Sequence, residues 1–103
     1  MDSDWKKFRQ LVPILRERYL AERNRRIART LTDAAKTETE RFWDAQEVME
    51  KEAVTLRRCL DGHSRSSMWG YLVEMRIAGM LEREDLAGFS EELRKQVFND
   101  GVE

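Results

Sequence analysis

One cysteine, one histidine, one proline and five glycines among 103 residues exclude most elaborate sites and folds. A lone Cys59 cannot close a disulfide within the chain. A zinc site would need Cys59, His63 and carboxylates, since no second His or Cys exists to complete a set. Five glycines and one proline supply little turn chemistry for many short strands. There is no glycine-rich phosphate loop and no recognisable nucleophile motif. No run of 18 uncharged residues is available to span a bilayer, and the N-terminus does not read as a charged-then-apolar leader. A soluble cytoplasmic protein without cofactors is the expectation.

What the chain does have is charge and helical periodicity. Charged residues make up 38% and hydrophobic ones 41%, a balance that suits long helices with solvated faces. Nine aromatics, with Leu, Ile and Val recurring at helical spacing, argue for a folded chain over a disordered one. The length fits a single domain, which buries roughly 60 to 70% of the surface its unfolded form exposes. The net charge of −1 hides an asymmetry: residues 1–36 carry ten Lys and Arg against five acids, residues 37–103 nine against fifteen. Packing of a basic first helix against an acidic remainder is the simplest reading.

Phe8, Leu11, Val12, Leu15 and Tyr19 share one face of a first helix, with Trp5 at its edge and Ser3 or Asp4 as cap. Pro13 removes an amide donor and crowds the preceding turn, so either a kink near Val12 or a fresh helix start is expected. Beyond Tyr19 the apolar positions shift, with Leu20, Ile27 and Leu31 about 100° round the cylinder. Thr37 and Glu40 form a capping box, after which Phe42, Ala45, Met49, Ala53, Leu56 and Leu60 make a continuous stripe ending before Gly62. Trp43 and Val54 sit on the far side of that helix. Ser64 or Ser66 can cap a third helix, Glu82 to Leu86 reads as a brief acidic turn, and Ser90 caps a last helix carrying Leu93, Val97 and Phe98.

Residues 68–81, MWGYLVEMRIAGML, are apolar on two sides, because only Glu74 and Arg76 in them are charged. Met68, Tyr71, Leu72, Met75 and Ala78 form one face; Trp69, Val73, Ile77 and Met80 form the opposite one. A helix of this kind needs two partners. The spacing predicts an all-α bundle of four main helices over 4–31 (kinked at Pro13), 38–61, 66–80 and 91–98, plus a helical turn near 83–87 and a frayed tail from Asn99. The first helix and the long stripe are enough for the Met68, Leu72 and Met75 face. The short last helix or a second chain must cover the other.

Candidate chemistry competes poorly with plain packing. Cys59 and His63 are four apart, but Gly62 interrupts the helix between them, so Cys59 reads as a small hydrophobe and His63 as a capping or surface residue. Pairs such as Glu47/Glu50 and Glu82/Asp85 lie on solvated faces without the cleft that catalytic carboxylates need. A non-enzyme is expected. Six arginines, Arg16, Arg18, Arg23, Arg25, Arg26 and Arg29, could follow a phosphate backbone, with Arg23, Arg25, Arg26 and Arg29 as the contacts. They could equally pair with Glu47 and Glu50 of the second helix. A helix-turn-helix would make the apolar third helix its reader, which fits badly.

The segments RERYLAERN, TERFWDAQEVMEKEAVTLRRCLD and AGMLEREDLAGFSEELR resemble short all-helical bacterial proteins to which no activity is attached. The resemblance spans nearly the whole chain and implies a bacterial cytoplasmic helical domain. It carries over no functional residue. The favoured expectation is a non-catalytic interaction module, homodimeric or bound to another protein, with Trp43, Trp69, Val73, Ile77 and Met80 as its buried surface. An accessory nucleic-acid binder is the alternative; neither a membrane nor a small-molecule substrate is implied.

Overall fold

The computed structural model describes residues 2–98, so the tail from Asn99 lies outside the described residues. Four α-helices follow one another: α1 (Asp2–Leu31), α2 (Glu38–Leu60), α3 (Met68–Ile77) and α4 (Glu91–Phe98). Short 3₁₀ turns at Arg65–Ser67 and Arg83–Leu86 precede α3 and α4. No strand occurs among the described residues. The all-α bundle is what the sequence periodicity predicts.

α1 and α2 form a long antiparallel hairpin. α1 is a single helix of 30 residues with Pro13 inside it, so no new helix starts at the proline. The Thr37 box closes as expected: the Glu40 amide donates to the Thr37 hydroxyl at 3.1 Å and the Glu40 carboxylate accepts from the Thr37 amide at 2.8 Å. α2 stops at Leu60. Gly62 there takes φ 76°, and a Cβ on it would come within 3.1 Å of the Tyr71 hydroxyl.

The core lies at one end of this hairpin. Phe8, Leu15, Tyr19, Cys59, Met68, Leu72, Met75, Met80, Leu81, Leu86, Phe89, Leu93 and Val97 bury one another there. Neither Ser3 nor Asp4 caps α1, because the helix already begins at Asp2. Asp4 is instead buried at 4% exposure and accepts from the Ser90 amide at 3.0 Å and the Ser90 hydroxyl at 2.7 Å. Ser90 in turn accepts from the Leu93 amide at 3.3 Å, the capping role expected of it. The first turn of α1 therefore anchors the first turn of α4.

α3 is shorter than its apolar pattern suggests. Gly79 adopts φ 77°, the Gly79 amide donates to the Arg76 carbonyl at 3.1 Å, and the Met80 amide reaches the Met75 carbonyl at 2.8 Å. This pair of bonds is a Schellman motif, which turns the chain out of the helix. The position of Met80 corrects the expectation that it shares an open face with Trp69. Once the chain has left the helix, helical phase no longer sets its direction, and Met80 is buried at 1% exposure in the core.

α3 has ten residues and is about 15 Å long, against about 45 Å for the thirty of α1. A bundle of unequal helices covers only part of its longest pair. The rest of the hairpin projects as an arm: the Cα radius of gyration is 16.6 Å, and the extents are 52 × 30 × 18 Å. A compact chain of this length would have a radius near 13 Å.

Candidate functional site

The arm exposes the apolar stripe that α2 would be expected to bury. Ala45 is covered and Leu56 and Leu60 pack against the core, but Phe42 is 58% exposed and Met49 54%. The stripe's outer half corrects the sequence reading, because Phe42 and Met49 turn towards the back of the hairpin, away from the side on which α3 packs, while Ala45 between them stays covered. Leu20, Ile27, Met49, Ala53 and Leu56 line a groove of about 200 Å³ between α1 and α2, with Arg23, Asn24 and Glu52 completing its wall. Leu31, also exposed, is the last residue of α1 before the turn.

Helical phase places this groove on the back of the hairpin. On α1, Phe8, Leu15 and Tyr19 lie within about 20° of one line, and Leu20, Ile27 and Leu31 lie about 100 to 140° away. On α2, buried Cys59 and exposed Met49 are separated by about 80°. α3 and α4 pack on the core side, leaving the back face clear.

The inner seam of the arm is polar and tightly paired. Tyr19 donates to Glu52 across the two helices, and the Arg23 guanidinium meets Glu52 at 3.1 Å while lying 4.4 Å above the Tyr19 ring. Burial and the Glu52 hydrogen bond both raise the Tyr19 pKa, so the phenol stays protonated. Hydrogen bonding to Tyr19 likewise raises that of Arg23. This network corrects the expected pairing of the arginines with Glu47 and Glu50. Glu47 is instead 3.7 Å from Lys51, and Glu50 accepts from Gln46.

The six arginines divide by environment. Arg18 makes two hydrogen bonds to Asp85, at 2.9 and 2.6 Å, and a third to the Met80 carbonyl at 3.1 Å, clamping α1 to the turn before α4. Arg16 lies 3.7 Å from Glu17. Arg25, Arg26 and Arg29 are exposed with no ion pair among the described residues, whereas Arg23 is held in the seam. Three of the four phosphate-contact candidates are thus open to solvent.

The α3 candidates also divide. Trp69 is 50% exposed and Ile77 68%, Val73 is half-buried, and Met80 belongs to the core. Met80 joins the core cluster that also holds Leu93 and Val97 of α4, while Trp69 and Ile77 stay open. Trp43 is 59% exposed, on the arm, edge-on to Phe42 with ring centroids 5.0 Å apart. The expected interface is therefore two separate patches, one on α3 and one on the arm. The extent of the arm patch was missed because an amphipathic stripe shows which residues share a side but not which face of the hairpin the covering helices take.

Cys59 and His63 do not form a reactive pair. Burial raises the Cys59 thiol pKa, with Glu74 adding to the effect and Arg58 opposing it, and the side chain is fully covered. His63 Nε2 lies 2.7 Å from the Cys59 carbonyl, so its ring N–H caps the end of α2 while packing edge-on to Phe8 and Tyr71. Among the described residues no group of three His, Cys, Asp or Glu side chains is placed to hold a metal ion. Nor is any described helix long and apolar enough to cross a membrane. Comparison with protein-family models, with curated proteins and with solved structures finds no match for this chain.

Proposed function

We propose that the chain is a non-catalytic protein-interaction module that works as a homodimer, burying the back of its α1–α2 arm. The observation that carries the reading is the half-exposed state of Phe42, Trp43, Met49 and Leu31 on a projecting arm. Large contiguous apolar patches are uncommon on soluble monomers and mark association surfaces. Aromatic and Met side chains are also enriched at such surfaces. The α3 patch around Trp69 and Ile77 is a smaller second surface of the same kind.

Light scattering tests this directly. The chain has a mass of 12.3 kDa, and a species of about twice that mass at tens of micromolar is expected. Met49→Asp, which adds a charge to the groove, should return it to a monomer. A wild-type monomer at 100 μM would remove the homodimer.

A second reading rests on Arg25, Arg26 and Arg29, which are exposed without described counter-charges. As a nucleic-acid binder the chain would shift DNA or RNA at low salt and lose binding steeply as salt is added. Absence of any shift at 20 mM salt removes that reading.

A further inference from the structure

A cleft of about 410 Å³ opens between α2 and α3, beside the Trp69 patch. Gly70 lies in its wall, and a Cβ added there would meet nothing within 4 Å. Glycine inside a helix is less stable than alanine, yet the ten-residue α3 holds one where the fold leaves room for a side chain. Packing within the chain does not account for it, whereas bare backbone lets a ligand approach closely. Half-exposed Trp69 stands on one side of the glycine. On the other, the Tyr71 ring is held by the hydrogen bond its hydroxyl donates to the Asp61 carbonyl.

Two opposite charges border the same cleft. Arg58 and Glu74 both line it and both act on the nearby Cys59 thiol, but they pair neither with each other nor with another charge among the described residues. We infer that this cleft binds a free α-amino acid with an aromatic side chain, its carboxylate on Arg58, its ammonium on Glu74 and its ring against Trp69 over Gly70. A guanidinium takes a carboxylate through two parallel hydrogen bonds, and an ammonium group is the matching donor for a carboxylate. A zwitterion carries both charges on one carbon and so bridges the gap between Arg58 and Glu74. A residue inside a peptide has lost both, and would leave the two side chains unmatched.

Size and surroundings agree with the charges. The volume falls within the range of about 300 to 1,000 Å³ usual for small-molecule sites. Trp69 makes no ring contact among the described residues, so its indole is free to stack on a second ring. At the rim the Ser67 hydroxyl is used by the Ser64 carbonyl at 3.1 Å, but that of Ser66 has only the Ser64 hydroxyl at 3.4 Å and is open to a ligand. The cleft shares Trp69 with the α3 patch and lies apart from the arm, so this inference does not depend on the association reading.

Amide chemical shifts of the full chain, titrated with L-phenylalanine, test the site. Saturable shifts at Trp69, Gly70 and Glu74 with a Kd of about 1 mM or tighter are expected. Phenethylamine, which lacks the carboxylate, 3-phenylpropionate, which lacks the ammonium, and N-acetylphenylalanine amide, which lacks both charges, should each bind at least tenfold more weakly. Gly70→Leu, which fills the cleft with a good helix former, should abolish binding without lowering the melting temperature. If that variant does not fold, Glu74→Gln gives a second readout, since it should erase the advantage of phenylalanine over 3-phenylpropionate. No shift up to about 20 mM phenylalanine overturns the inference. So does equal binding of the uncharged amide, which would mark a peptide surface, or binding that survives both Gly70→Leu and Glu74→Gln.

Discussion

Replacing Asp4 with Ala tests how the two ends of the chain are joined. Both carboxylate oxygens are used, one by the Ser90 amide at 3.0 Å and the other by the Ser90 hydroxyl at 2.7 Å, in a site 4% exposed. Hydrogen bonds to a charged group are worth about 1.5 to 3 kcal/mol each, but these two share one carboxylate whose burial itself costs free energy. A net loss of about 2 to 3 kcal/mol follows. For a domain of this size it lowers Tm by about 8 to 20 °C. α4 should feel it first: eight residues are far below the 12 to 15 at which an isolated helix is even marginal. Thermal melts by circular dichroism and amide exchange of α4 are the assays. Asp4→Asn, which retains one acceptor, should lose about half as much, and Lys6→Ala, at an exposed position, almost nothing. A Tm within 2 °C of wild type for Asp4→Ala, with α4 amides still protected, would refute the reasoning.

Met80→Ala should destabilise the chain by about 2 to 5 kcal/mol in urea unfolding, as for a buried Met, whereas Ile77→Ala should change it by less than about 1 kcal/mol. Equal effects would contradict the assignment of Met80 to the core. Burial raises the Asp85 pKa, and the Arg18 hydrogen bonds, the Glu82 amide and the Arg18 charge outweigh it, leaving the carboxyl below its ordinary value. A depressed carboxylate contributes stability above its unfolded pKa, near 4, and loses it as pH falls through the folded value. Asp85→Asn should therefore flatten the fall in stability below pH 4, and an unchanged acid profile would count against the Arg18 clamp. Cys59 should resist a thiol reagent such as Ellman's under native conditions and react fully in denaturant. Gly79→Ala should cost about 1 kcal/mol from its positive φ alone, because nothing lies within 4 Å of where the new Cβ would sit.

Local rules carried much of the fold. The Thr37 and Glu40 box, the Ser90 cap and the glycine after α2 are contacts between near neighbours, so residue type and spacing suffice to read them. The bounds of α2 and α4 agree to within a residue with those periodicity predicts. Long-range partners were less legible. Nothing in the spacing of Asp4 indicates that it serves a helix 86 residues away, and Met80 was misread because a Schellman turn ends the helix that its phase assumed. The candidate surface was legible as a list of apolar residues but not as a place. Phe42 and Met49 carry the same pattern as Ala45 and Leu56, and a displacement of only about 20 to 60° in helical phase, towards the back of the hairpin, leaves the first two open.

Amide hydrogen exchange at two concentrations, about 2 and 200 μM, tests most directly that the arm is covered by another copy. Peptides from 20–31 and 42–56 should exchange more slowly at the higher concentration, with α3 and α4 unchanged. Identical exchange throughout, or a slowing confined to Trp69–Ile77, would contradict the account.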